Sequence, residues 1–146
     1  MITLPPNSLV YVAGPYTPLN AKTNHDYCRF TQRNVDRAVD VGIQLMDMGF
    51  VVYIPHLSHY IQLRMKDDFG DGWYDFDSVI LRRCDGVLMM NDWEKSRGAT
   101  YELGVMKTLG KPVYYEHELN RSLKVIGGLN LHELDYISEQ DYISRM

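Results

Sequence analysis

Residues 9–15 read LVYVAGP and residues 50–56 read FVVYIPH, two short apolar runs each broken off at proline. Both are rich in β-branched and aromatic residues, and both end in turn residues, which marks buried strands at Leu9–Ala13 and Phe50–Ile54. Between them, polar Thr17–Asp26 forms a loop long enough to fold over a site. Val35, Ala38, Gly42 and Leu45 then recur at helical spacing in a helix from about Tyr27 to Met48, which Gly49 ends. Strand, helix and strand make one parallel crossover unit.

The pattern repeats outward from that unit. Leu57–Leu63 continues as a short helix, and Lys66–Trp73 (KDDFGDGW) is a charged, glycine-rich surface loop with the character of a lid. Tyr74–Arg83 is helical, with Phe76, Val79, Ile80 and Leu81 turned inward and Asp77 facing away from part of that stripe. Gly86–Met90 (GVLMM) is a third buried strand. The stretch Asp92–Lys111 begins as an exposed loop and becomes a helix: Ser96 is a good N-cap, and Ala99, Leu103, Met106 and Leu109 keep helical spacing until Gly110 stops the run. Lys111–Tyr115 (KPVYY) is the fourth strand, with a fifth expected near Lys124–Ile126 or near Asp135–Ile137. Alternating short strands and helices predict a doubly wound α/β sheet of four to five mainly parallel strands, helices on both faces, in flavodoxin-like order.

With 146 residues and no interdomain linker, the chain reads as a single domain. No apolar run approaches the roughly 20 residues needed to span a bilayer, and the amino terminus lacks an export signal, so a cytoplasmic, membrane-free protein is expected. A formal charge of −4 argues against the electropositive surface that polymeric nucleic acid requires. A free nucleoside or nucleotide suits it better. Cys28 and Cys84 are too few for a disulfide framework or zinc site and are expected as buried thiols.

In such a sheet, ligands bind at the carboxyl ends of the strands, where strand order reverses. Gly14–Thr17 follows the first strand, His56 the second and Asn91–Gly98 the third, so three polar loops converge on one crevice. Glu102 falls in the first turn or so of its helix. The macrodipole there keeps a carboxylate ionised and favours an anion such as phosphate nearby; the plain alternative is a glutamate that only complements the dipole. Gly98 lets the backbone approach a ligand closely.

The order VYVAGPYT, IPH, DSVILRRCD and SRGATYELG resembles the nucleoside 2-deoxyribosyltransferase superfamily, including its branch of 2'-deoxynucleoside 5'-phosphate N-glycosidases. The likeness runs from about Val10 to Tyr115. Asp77 stands eight residues before Asp85, and Ser96 six before Glu102, as in that family. The resemblance implies cleavage or transfer at an N-glycosidic bond, with Glu102 attacking C1', Asp77 assisting the departing base and Tyr11 orienting Glu102. It implies no cofactor, and a homodimer or larger assembly, since that family builds its sites at subunit contacts. The first loop departs from it: Pro15, Tyr16 and Thr17 replace a more glycine-rich phosphate-binding turn.

Each assignment has a simpler counterpart. Tyr11 also suits a core tyrosine, Asp77 a solvated helix face, Ser96 a plain N-cap, and Trp93 a rim residue in place of a base-stacking one. Asp85 reads as a cap on the turn into the third strand. Ser96 otherwise chooses the branch, because a hydroxyl there can donate to a 5'-phosphate that the aspartate common among the transferases would repel. His56 is expected near the ligand with Gly14, Pro15 and Tyr16, and the His56–His59 pair, lacking a third ligand, is not expected to hold metal. A nucleotide-binding sensor without turnover and a purely structural or partner-binding domain are the two other classes.

Overall fold

The computed structural model of the chain describes residues 4–119. Four parallel strands, β1 (Leu9–Ala13), β2 (Val51–Tyr53), β3 (Gly86–Met89) and β4 (Val113–Tyr115), lie in the order β2-β1-β3-β4. Helices α1 (Asn24–Asp47), α2 (Ser58–Arg64), α3 (Gly72–Arg83) and α4 (Arg97–Thr108) connect them, with 3-10 turns at Pro55–Leu57 and Trp93–Lys95. The α/β sheet is doubly wound, and its order matches the first four strands of the flavodoxin-like arrangement. The expected fifth strand lies outside the described residues.

Strand alternation decides which helix covers which face. Val10 and Val12 point to one side, where they and Leu88 and Met90 pack against Ala38, Val41 and Leu45 of α1. Tyr11 and Ala13 point to the other. There they join Val87 and Met89 against Leu81, Cys84 and the Ala99, Leu103 and Met106 stripe of α4.

Several expectations need correction. β2 is an edge strand, paired only with β1 among the described strands, so Val51 is exposed and not buried. α1 starts earlier than predicted because Thr23 caps it, its Oγ1 accepting the Asp26 N–H at 3.0 Å; the polar loop therefore ends at Thr23. α3 is turned about its axis relative to the expected stripe. Phe76 and Val79 are exposed, Leu81 and Cys84 are buried, and Asp77 and Ile80 are partly buried. Positions 77, 80, 81 and 84 share one helix face, so the inward stripe contains the carboxyl group. Leu109 ends α4 as an exposed C-cap, and Cys28 is exposed while Cys84 is buried.

The segment before α3 is cross-linked by one side chain. Gln62 Oε1 accepts the Phe69 N–H at 3.0 Å and the Trp73 indole N–H at 2.9 Å, while its Nε2 donates to the Asp67 carbonyl. Asp85, expected as a cap on the turn into β3, instead ties that turn to the start of β1: its Oδ2 accepts the Leu9 N–H at 2.8 Å, and its own N–H donates to the Leu9 carbonyl at 2.7 Å.

Candidate active site

Because Tyr11 and Tyr53 are register partners on β1 and β2, both side chains rise on the α3/α4 face, with ring centroids 5.6 Å apart. Asp77 reaches them from α3. The Tyr53 hydroxyl donates to Asp77 Oδ1 at 3.1 Å. Glu102 approaches from α4, where Ala99, Leu103 and Met106 bury the same face of the helix. Its carboxyl is directed toward Tyr11 and Asp77. Two carboxyl groups thus meet two phenols under the packed pair of helices.

Burial governs the electrostatics. It pushes the Glu102 carboxyl up to about 8; interaction with the Tyr11 hydroxyl opposes this and the Asp77 charge adds to it. Asp77 is pushed up to about 6 by burial, against the hydrogen bond from Tyr53. Both phenols are raised well above the ordinary tyrosine value, first by burial and then by the neighbouring carboxylates, so they stay neutral donors. The expectation that Glu102 stays ionised is corrected. It sits a full turn inside α4, which starts at Arg97, and the dipole's influence fades within the first turn. Between about pH 6 and 8 Glu102 is protonated and Asp77 ionised, so the two carboxyls together carry one proton.

The Tyr11 hydroxyl itself is buried without a hydrogen bond of full geometry. A group in that state is a donor available to a carboxylate or a ligand oxygen.

The first loop forms a separate cluster. His56 is buried, and its Nε2 faces the carbonyls of Gly14 at 3.2 Å and Pro15 at 3.1 Å, which assigns the proton to that nitrogen. Burial lowers this imidazole to about 4, so it is neutral at pH 7. Tyr16 is tied at both ends: its hydroxyl meets His59 Nδ1 at 2.9 Å, and its carbonyl accepts from Asn34. The two histidines thus hold the loop. Among the described residues no three His, Cys, Asp or Glu side chains gather to hold a metal ion. Gly14 is required by packing, since a Cβ there would lie 2.5 to 2.9 Å from the buried Met90 side chain.

At the start of α4, Ser96 Oγ accepts the Ala99 N–H at 3.1 Å, an N-cap bond, and Gly98 lies beside Tyr74. Trp93 is partly buried against Tyr115, ring centroids 6.4 Å apart. It borders a concavity of about 430 Å³ that also includes Asn91, Asp92 and His117. Neither that concavity nor a second of similar volume on the outer side of α3 and α4 contains Asp77 or Glu102. The structure therefore brings together Tyr11, Asp77 and Glu102, and keeps the His56 cluster and Trp93 as separate groups.

Tyr53 is the site residue that the sequence reading missed. Its signal was strand parity: in FVVYI, Val52 and Ile54 pack on the α1 side, which leaves Tyr53 on the side of Tyr11.

Residues 8–115, the unit from the start of β1 to the end of β4, match the model of a domain of unknown function, DUF4406. The chain belongs to the DUF4406 family. A search of curated proteins finds no match. The DUF4406 match spans every residue of the carboxyl cluster and of the first loop, so the candidate site lies wholly inside the family unit.

Proposed function

We propose that this DUF4406 protein cleaves or transfers at the N-glycosidic bond of a nucleoside or its 5'-monophosphate. The observation that carries the reading is the convergence of Asp77 and Glu102 on Tyr11 and Tyr53, two buried carboxyls set to act on one carbon as acid and nucleophile. As the ligand binds, the proton that burial places on Glu102 passes to Asp77; the Glu102 carboxylate then forms a bond to C1' as the C1'–N bond breaks, and the base leaves with the proton from Asp77. Water, or the hydroxyl or nitrogen of an acceptor, then attacks C1', gives its proton to Asp77 and frees Glu102. Tyr11 donates to the carboxylate that forms on Glu102. The resemblance to the nucleoside 2-deoxyribosyltransferase superfamily supports the same roles.

The productive protonation state needs one proton on the pair. Below about 6 both carboxyls are protonated and no nucleophile exists; above about 8 both are ionised and no acid remains. The pH profile of kcat/KM for base release should therefore be a bell with limbs near those values. Chromatography of nucleosides and their monophosphates for free base, repeated across pH 5 to 9, tests both statements. No base released from any of them sinks the reading; a ligand-induced rise in Tm without base release would instead support a nucleotide-binding sensor.

A homodimer or larger assembly is part of this proposal. The outward faces of α3 and α4 expose Phe76, Val79, Tyr101 and Leu109, an apolar set suited to a subunit contact. Light scattering at micromolar concentration should give at least twice the monomer mass. A mass of one chain would count against it.

A further inference from the structure

We propose that Tyr53 is a positioning residue of the carboxyl pair: its hydroxyl holds one oxygen of Asp77 and turns the other toward the ligand. This rests on the glycosyl-transfer reading above. Three observations support it. The β1–β2 register places Tyr53 opposite Tyr11, and its ring can swing away only by breaking a ring contact of 5.6 Å. Its hydroxyl donates to Asp77 Oδ1 at 3.1 Å. Tyr53 and Tyr11 also divide the two acids between them, Tyr53 serving Asp77 and Tyr11 facing Glu102.

The division has a chemical consequence. The groups that face the pair, Asp77 from α3 and Glu102 from α4, are Tyr53 from β2 and Tyr11 from β1, with Cys84 at the end of α3 near Tyr53. Among them the bond from Tyr53 favours the ionised form of Asp77, whereas Glu102 has only the incomplete interaction with Tyr11 to offset its burial. The resting proton therefore sits on Glu102. Asp77, ionised and held at Oδ1, offers its free oxygen to whichever group brings a proton into the site.

The test compares wild type with Tyr53→Phe, which keeps the ring and removes only the hydroxyl. Two readouts are taken on the whole chain: the pH profile of base release, and carboxyl-carbon NMR of Asp77 from pH 4 to 9, assigned with Asp77→Asn. A hydrogen bond to a charged acceptor corresponds to about one pH unit or more, so both the acid limb and the Asp77 titration should move up by that amount in Tyr53→Phe. A wild type that releases base while both readouts stay unmoved in the variant would reduce Tyr53 to packing and leave the glycosyl reading standing. Loss of base release from wild type itself overturns both. Should Tyr53→Phe fold poorly, an Asp77 that titrates in wild type above Glu102, and so carries the resting proton itself, would overturn the assignment without the variant.

Discussion

Glu102→Ala is expected to abolish base release, by at least about a thousandfold in kcat, while ligand binding stays largely intact. The carboxylate makes a bond to carbon in the reaction and contributes little to holding the ligand beforehand, so kcat should fall and not ligand affinity. Glu102→Gln should behave alike and provides the cleaner control. In the unliganded protein the carboxyl is already held mostly neutral by burial, and an amide of the same shape fits the site without that titration. The Gln variant should therefore melt at or above the wild-type Tm near pH 9, where wild type must keep a charge buried. Single-turnover assays and melting curves of both variants check this. Near-normal turnover in either would move the nucleophile to Asp77, because Asp92 is exposed and paired with Lys95 at 3.7 Å.

Ser96→Asp is expected to cost about a hundredfold or more in kcat/KM on a 5'-monophosphate and to spare the matching nucleoside. A charge-assisted hydrogen bond is worth roughly 1.5–3 kcal/mol, and the new carboxylate adds repulsion against a phosphate at the same place. The N-cap geometry makes the experiment interpretable. Ser96 Oγ accepts the Ala99 N–H, which leaves the hydroxyl proton free to donate, and aspartate caps helices about as well as serine, so fold stability should not change. Equal losses on both substrates would reduce Ser96 to a helix cap and remove the phosphate from the proposal. Thermal melting alongside the kinetics separates a damaged fold from a damaged subsite.

Much of the architecture was legible in local pattern, for a physical reason. LVYVA and GVLMM are strands buried on both faces, so their apolar runs are continuous and end at turn residues; β1 lies at Leu9–Ala13 as read, and β3 ends one residue short of Met90. α4 was equally readable, because Ser96 caps it and Ala99, Leu103 and Met106 bury its inner face. α3 was not. Phe76 and Val79 are its conspicuous apolar residues, and a rule that turns apolar side chains inward aims the helix by them; in the fold they are exposed, and Asp77 enters the protein.

The sequence by itself determined an alternating α/β chain, its β1-α1-β2 crossover unit, and the two acids and the tyrosine worth watching. The chain order and the crossover unit follow from residue spacing and turn chemistry, which act over a few neighbours; the acids and the tyrosine were singled out by the likeness to the nucleoside 2-deoxyribosyltransferase superfamily. Only the tertiary structure decided that β2 is an edge strand, that Tyr53 stands beside Tyr11, and that Glu102 is held near neutrality a turn away from the helix end. Register, helix rotation and desolvation depend on which elements pack together across the sheet. A carboxyl's charge in a folded chain is set by what surrounds it after packing, and no spacing in the sequence records that.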